Sequence, residues 1–154
     1  MNDIPQLLID HAGQRLALIA ESFARLIGRP LVPNDTDLAE SLWRAPFVIV
    51  AHGTEPNPIF FFGNKIALDL FETSPADFIA MPSRLSAEED LRSEREKLLA
   101  RVARDGYIDD YSGVRISATG RRFRIQDAIV WNLMDGFGRL HGQAATFGNW
   151  NPLD

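Results

Sequence analysis

The sequence predicts an α+β fold: a five-stranded antiparallel sheet with short helices and one long helix, preceded by an N-terminal helical extension. Three observations lead to it. Two short apolar segments, 47–51 and 59–62, flank a polar turn and predict a pair of strands. A long charged segment, 86–105, has helical spacing. The stretch 107–147 contains alternating apolar residues and two hairpin signals, as expected of an antiparallel meander.

Composition excludes several kinds of protein. The chain has 154 residues, of which 45% are hydrophobic and 24% are charged, as is common in soluble globular proteins. Its net charge of −5 argues against binding nucleic acid, which requires clustered Lys and Arg. The lack of cysteine excludes disulfides, thiolate catalysis and Cys-ligated metals. With no signal peptide and no membrane-spanning apolar segment, we expect a cytoplasmic protein that does not contact membranes.

Apolar residues recur at steps of three and four through the first 26 positions, which predicts one amphipathic helix ending near Gly28 and Pro30. A short second helix should begin at Asp37, because Glu40 stands at the capping-box position. We expect residues 1–45 to form a helical extension that packs on the sheet, and residues 46–154 to form the sheet-bearing domain.

The two apolar segments do not alternate, although an antiparallel strand with one wet face should. Both faces of these strands are therefore expected to be covered. The N-terminal helix is the only long apolar stripe left over to cover the second face.

Short helices are expected over 64–72 and from Ser74. Ser86 with Glu89 predicts the cap of the long helix and Gly106 its end. The apolar stripe of the long helix is narrow and consists of Leu91, Leu98, Leu99 and Val102. Three strands should follow, with turns at 118–120 and at Asp135-Gly136, and the last strand should run from about Arg139 to Phe147.

Four blocks of the sequence carry a family resemblance. The stretch 60–71, FFFGNKIALDLF, resembles the strand-to-helix entry of PAS folds. The blocks 81–88 (MPSRLSAE), 106–115 (GYIDDYSGVR) and 142–147 (GQAATF) resemble the MEKHLA domain family. Together they span roughly residues 45 to 150, about two-thirds of the chain.

This resemblance implies a PAS-related fold, which occurs alone in bacteria and at the C-terminus of class III homeodomain–leucine zipper proteins in plants. We therefore expect a bacterial source. The chain has no basic homeodomain and no zipper heptads, so DNA binding does not carry over. The family offers no established catalytic residues to transfer.

No cofactor or metal is expected. Light-sensing PAS relatives use a cysteine that this chain lacks, and haem-binding ones usually hold iron with a histidine on the long helix, where 86–105 has none. His11, His52 and His141 lie on separate elements, without the paired spacing of metal ligands.

Catalysis is the weaker interpretation. His52 with Thr54 and Glu55, or Asp127 beside a strand histidine, could be arranged as a nucleophile and base. A polar turn in which Thr54 and Glu55 bond the local backbone explains the first set as well. We therefore expect a protein that is not an enzyme.

A small, mostly apolar ligand between the sheet and the long helix is the favoured hypothesis. Phe123, Ile125, Ile129 and Trp131 share one register, and Tyr107, Tyr111 and Arg115 share another. The candidate ligand contacts are Arg84, Leu98, Tyr107, Tyr111, Arg115, Phe123, Ile125, Asp127, Ile129, Trp131 and Gln143. Plain core packing is the alternative role for the aromatic members, and a surface or helix-entry salt bridge is the alternative for Arg84.

Asp127 lies in the inward register unless a bulge rotates it outward. An inward carboxylate needs a partner, for which Arg115 and Gln143 are candidates, and an Asp–Arg pair joining two strands is the structural alternative.

The expected function is that of a sensory or regulatory module. Ligand occupancy would shift the packing of the N-terminal helix, and with it a homodimer formed through that helix or the outer sheet face. One alternative is a ligand-free protein-interaction module that forms homodimers. A less favoured one is a small-substrate enzyme using His52 or Asp127.

Overall fold

The computed structural model describes residues 4–33, 37–87 and 92–153. Its helices are α1 (Gln6–Ala12), α2 (Arg15–Ile27), α3 (Leu38–Arg44), α4 (Lys65–Phe71), α5 (Pro75–Phe78) and α6 (Arg92–Asp105). Its strands are β1 (Val48–His52), β2 (Phe60–Gly63), β3 (Tyr107–Ile116), β4 (Arg122–Met134), β5 (Leu140–Phe147) and β6 (Asn149–Leu153). All pair antiparallel in the order β2-β1-β5-β4-β3, with β6 beside β4. The α+β fold is confirmed.

The sixth strand was not predicted, because the chain was expected to leave the sheet at Phe147. β6 follows β5 along the same neighbouring strand, β4. Thr146 of β5 pairs with Ile129, and Asn149 of β6 pairs with Gln126, so both strands keep one register against β4. The sheet is thus extended past a one-residue interruption at Gly148.

The prediction of a single N-terminal helix is wrong, because the helix is broken in two at Gly13. Gly13 has a positive φ of 57° and donates its N–H to Ile9 O, which ends α1. The Arg15 guanidinium then bonds the carbonyls of His11 and Ala12 and stacks 4.0 Å from the Phe61 ring. The second helix, α2, ends at Gly28 as predicted.

Helix α2 lies on one side of the sheet, here called the outer face. Trp131 Nε1 donates to Ile19 O over 3.2 Å, and the Trp131 ring packs edge-on against Phe23. Ser22 Oγ bonds both the N–H and the carbonyl of Met134. Helix α6 lies on the opposite side, the inner face, against Ile108 and Val130.

Strands β1 and β2 are covered on both faces. Every residue from Val48 to Ala51 and from Phe60 to Gly63 is buried. This confirms the interpretation of the two apolar segments, since a strand with one wet face would expose every second residue.

The side chain of Asn64 joins three elements at the centre of the fold. Its Oδ1 accepts from Ile49 N and from Ala67 N, which caps α4. Its Nδ2 donates to the carbonyls of Leu42 and Phe47. Asn64 is fully buried, and three of its four hydrogen bonds are buried, the bond to Phe47 O being partly buried.

The end of the long helix is as predicted, but its start is not. Gly106 adopts a φ of 90° and donates to Val102 O. Ser86 belongs instead to a 3₁₀ turn, Ser83–Ser86, where its hydroxyl donates to Ser83 O. The predicted capping partner Glu89, and Leu91 of the apolar stripe, lie outside the described residues. In the part of the chain that the structure describes, every helix falls short of the length and apolar character that crossing a bilayer requires.

Replacing Asn64 with Ala should lower the free energy of unfolding by about 3 kcal/mol, because two buried N–H groups and two carbonyls lose their partner. Asn149→Ala, at an exposed strand position, is the matched control and should change it by less than about 0.5 kcal/mol. Urea unfolding followed by far-UV circular dichroism measures both. Equal losses in the two variants would contradict the role of Asn64.

Deleting residues 1–28 should cause aggregation, because it uncovers the outer face around Ile129, Trp131 and Leu133. Light scattering of the truncated chain during purification measures this. A well-behaved truncated monomer would contradict the covering role of α2.

Candidate functional site

A cavity of about 60 Å³ lies between the inner face and α6. Its wall is mostly apolar, with a few polar groups at its border, the arrangement that small-ligand sites use. The lining residues are Val50, Ala51, His52, Phe60, Phe71, Ser86, Leu98, Leu99, Tyr111, Arg115, Ile125, Val130, Gln143, Ala144, Ala145 and Phe147.

Gln143 presents an unsatisfied acceptor at this cavity. Its Nε2 donates to Asn132 Oδ1 over 3.0 Å, and Asn132 Nδ2 donates to Val102 O near the end of α6. The Oε1 of Gln143 is buried and has no hydrogen-bond partner among the described residues. The side chain is only 9% exposed, so bulk water does not satisfy that oxygen.

Tyr111 and Arg115 form the polar part of the wall on β3. The Arg115 guanidinium lies 5.1 Å from the Tyr111 ring centroid and donates to Val114 O. A side chain at Gly113 would come within 2.2 Å of the Tyr111 hydroxyl. The phenol therefore lies flat across Gly113, where only a glycine leaves room for it.

The structure brings only part of the predicted set together. Five of the predicted residues line the cavity: Leu98, Tyr111, Arg115, Ile125 and Gln143. Phe123 packs edge-on against Phe71, and Phe71 lines the cavity. The inward orientation predicted for Trp131 is wrong, since it bonds and packs against α2 on the outer face. Tyr107 pairs with Trp131 across β3 and β4, and Ile129 precedes it by two residues in β4, so both share that outer face.

A kink at Asp127 explains these errors. Asp127 has a φ of 53°, so β4 reverses its alternation there. Phe123 and Ile125 point inward before the kink, whereas Val130 points inward after it. The Asp127 side chain is exposed, and the pairing expected with Arg115 or Gln143 is wrong because they lie on the inner face.

Arg84 lies away from the cavity lining. Its side chain is exposed and donates from Nε to Asn57 Oδ1 over 3.2 Å. This bond joins the 3₁₀ turn to the loop between β1 and β2. Arg84 therefore makes a surface contact, as in the alternative interpretation, although its partner is an amide and not a carboxylate.

Sequence reasoning did not assign His52 and Val130 to the inner face, although both line the cavity. His52 pairs with Gln143 across β1 and β5, and Asn132 pairs with Gln143 across β4 and β5. The one available signal was Asp127 itself, a charged residue in an apolar register, which marks an irregular strand.

The arrangement offers little for catalysis. His52 Nδ1 lies 3.0 Å from Gly53 O, and Glu55 Oε1 accepts from Ile59 N, so both groups engage the backbone of their own loop. Over the described ranges, no cluster of three or more His, Asp or Glu side chains is placed to hold a metal ion.

His141 and Asp135 form a close pair that shapes a turn. Asp135 Oδ2 lies 2.8 Å from His141 Nε2, while Oδ1 accepts from the N–H groups of Phe137 and Arg139. The bond from His141, followed by that from Arg139, lowers the pKa of Asp135 from 3.8 to about 2. The carboxylate thus stays ionised and holds the β4–β5 hairpin.

These features define a class of fold: a single antiparallel sheet enclosing a small cavity with one helix, the architecture of PAS domains. The MEKHLA domain profile matches residues 13–152. The chain therefore belongs to the MEKHLA domain family.

A curated relative is the homeobox-leucine zipper protein REVOLUTA of Arabidopsis thaliana, 24% identical over 142 residues. The match covers 86% of this chain and 17% of REVOLUTA, so this chain spans roughly one-sixth of the relative's length. REVOLUTA is a plant protein, which does not support the expectation of a bacterial source.

Two solved structures share the fold. The PAS domain of a protein from Colwellia psychrerythraea has a TM-score of 0.60 at 14% identity, covering 75% of this chain and 92% of its own. The PAS domain, in complex with ethanol, of a LuxR-family transcriptional regulator from Burkholderia thailandensis has a TM-score of 0.57 at 16% identity. That match covers 76% of this chain and 97% of the other.

The depressed pKa of Asp135 has a pH consequence. Its contribution to stability is fully present above about pH 3.9, the ordinary value of an unfolded Asp, and is lost as the pH falls through about 2. His141→Ala should raise the pKa of Asp135 towards 3.8, because it removes the largest cause of the shift. Carbon-13 NMR titration of the carboxylate measures it, with His11→Ala as the control. An unchanged pKa in His141→Ala would refute this origin.

Proposed function

We propose that this chain is a non-enzymatic sensory or regulatory module of the cytoplasm that binds a small, mostly apolar ligand in the cavity beneath α6. The supporting observation is the Oε1 of Gln143, a buried acceptor without a partner among the described residues, at the border of an apolar cavity. An unmet buried acceptor costs about 1–3 kcal/mol, and a ligand that donates a hydrogen bond recovers that cost.

The size of the cavity limits the ligand. A volume of about 60 Å³ is well below the roughly 150 Å³ of a cavity that holds benzene. The expected ligand therefore has only a few heavy atoms, with one O–H or N–H group directed at Gln143. The neighbouring PAS structure with ethanol supports a guest of this size in this fold.

Strand β4 is the proposed route from the cavity to the N-terminal extension. Asn132 on its inner face bonds Gln143, whereas the adjacent Trp131 bonds Ile19 of α2 on the outer face. A ligand that moves the Gln143 amide would thus act on α2 through two neighbouring residues of one strand. The extension, and any homodimer formed through it, would carry the response.

A ligand-free interaction module is the second candidate. It is favoured by how little space the core leaves, since large side chains such as Trp131, Phe61 and Phe78 are fully buried and fill most of the interior. In that case Gln143 serves only to tie β5 to β4. An enzyme using Asp127 is less favoured, because Asp127 is exposed and lies outside the cavity lining.

Ethanol and dimethyl ether provide a matched test, since they are isomers and only ethanol donates a hydrogen bond. In nitrogen-15 NMR titrations, ethanol should shift the side-chain amides of Gln143 and Asn132, and the ether should bind roughly tenfold more weakly. Gln143→Leu should abolish this preference, whereas Gln126→Leu, away from the cavity, should keep it. If neither isomer shifts these amides and a crystallographic map shows the cavity filled by side chains, the second candidate stands instead.

A further inference from the structure

Phe137 at the tip of the β4–β5 hairpin is 93% exposed. Its loop is nevertheless well fixed: Asp135 N bonds Arg139 O, Gly138 N bonds Asp135 O, and the Asp135 carboxylate accepts two further backbone N–H groups. A large aromatic side chain on a preorganised turn loses little entropy when it is buried by a partner. It has the properties of a docking anchor.

Two exposed arginines lie near this tip, whereas the Asp135 carboxylate is held within the turn by His141 and by backbone N–H groups. Arg139 is exposed beside Phe137 on the same turn. Arg25 of α2 is also exposed and donates to Met134 O at the base of the hairpin. We call Phe137, Arg139 and Arg25 the tip surface. It suits a partly apolar groove that carries carboxylates.

A groove of partly apolar and partly acidic character lies elsewhere on the same chain. It is open, has a volume of about 540 Å³ and lies between α4, α5 and the β3–β4 turn. Its apolar lining residues are Leu68, Met81 and Ala118, and the other lining residues are polar or acidic. Asp69 and Asp77 also line it, are exposed, and form no ion pair within the described parts of the chain. We call this the acidic groove.

The acidic groove is as firmly built as the tip surface. Ala118 N donates to Phe71 O, which fixes the β3–β4 turn against the end of α4. Glu72 accepts from the hydroxyls of Ser117 and Thr119, and these bonds lower the pKa of Glu72. Arg121 lies 3.6 Å from Glu72, so the charges left for a partner are those of Asp69 and Asp77.

Tip and groove lie at opposite ends of β4. The strand begins at Arg122, just after the groove residue Ala118, and ends at Met134 beneath the tip. Thirteen extended residues span about 40 Å, so one chain cannot join its own two surfaces. We propose that the tip surface of one copy docks into the acidic groove of a second copy, giving a head-to-tail association.

This contact differs from a two-fold dimer, because the two copies contribute different surfaces and the pair keeps one tip surface and one acidic groove unpaired. Such heterologous contacts build open chains or closed rings. A single anchor with two ion pairs buries little area, so the association is weak and depends on ionic strength. Phe137 is expected to dominate its energy, as aromatic anchors do.

Two variants separate the two surfaces. The tip variant carries Phe137→Ser and Arg139→Glu, and the groove variant carries Asp69→Lys and Asp77→Lys. All four positions are exposed, so the fold should persist, and circular dichroism verifies this. Sedimentation velocity from roughly 10 μM to 1 mM measures association of the unaltered full chain and of each variant.

The full chain should form dimers and larger species as its concentration rises, and each variant alone should associate at least about tenfold more weakly. An equimolar mixture of the variants should give a 1:1 dimer and nothing larger, because one intact tip and one intact groove remain. Leu7→Ser, at an exposed apolar position on α1, should associate like the full chain. The proposal would be overturned if the full chain stayed monomeric or if the variants associated as strongly as the full chain. It would also be overturned if Leu7→Ser weakened the association.

Discussion

The conformation of one residue, Asp127, determines what each face of the sheet presents. With a regular β4, Trp131 and Asp127 would share the inner face with Ile125. The left-handed turn at Asp127 shifts the alternation by one residue, so Val130 and Asn132 enter the inner face and Trp131 leaves it. Both consequences are needed, because Asn132 holds Gln143 at the cavity and Trp131 holds α2 on the other side.

The elements were largely predictable from the sequence because their signals are local. Capping residues such as Asp37 and terminal glycines such as Gly106 act within a few positions, and both are used as expected. The break at Gly13 was hidden, since the apolar stripe continues through it and the positive φ of Gly13 is visible only in three dimensions. β6 was hidden too, because its pairing depends on the length of β4 rather than on its own residues.

The candidate site was only half predictable for a related reason. Alternation assigns a face to each strand residue relative to its neighbours, and one irregular residue reverses every later assignment. Ile125, ahead of the kink, was therefore placed correctly, and Ile129 and Trp131, beyond it, were not. Tyr107 failed in the same way, since β3 shifts register between Ile108 and Tyr111. Gln143 could be named as a candidate, but its unmet Oε1 is visible only in three dimensions.

The edges of the sheet limit how copies of this chain can associate through strand pairing. Two aspartates, Asp109 and Asp110, lie where β3 shifts register at one margin, and at the other a bridge from Ile59 to Pro82 occupies backbone groups beside β2. Pro152 lacks the N–H that would extend β6 into a further strand. Charge, irregular geometry and missing donors are the means by which β-proteins avoid growing into fibrils. The edges of the folded sheet are therefore poor templates for the addition of a strand from another copy.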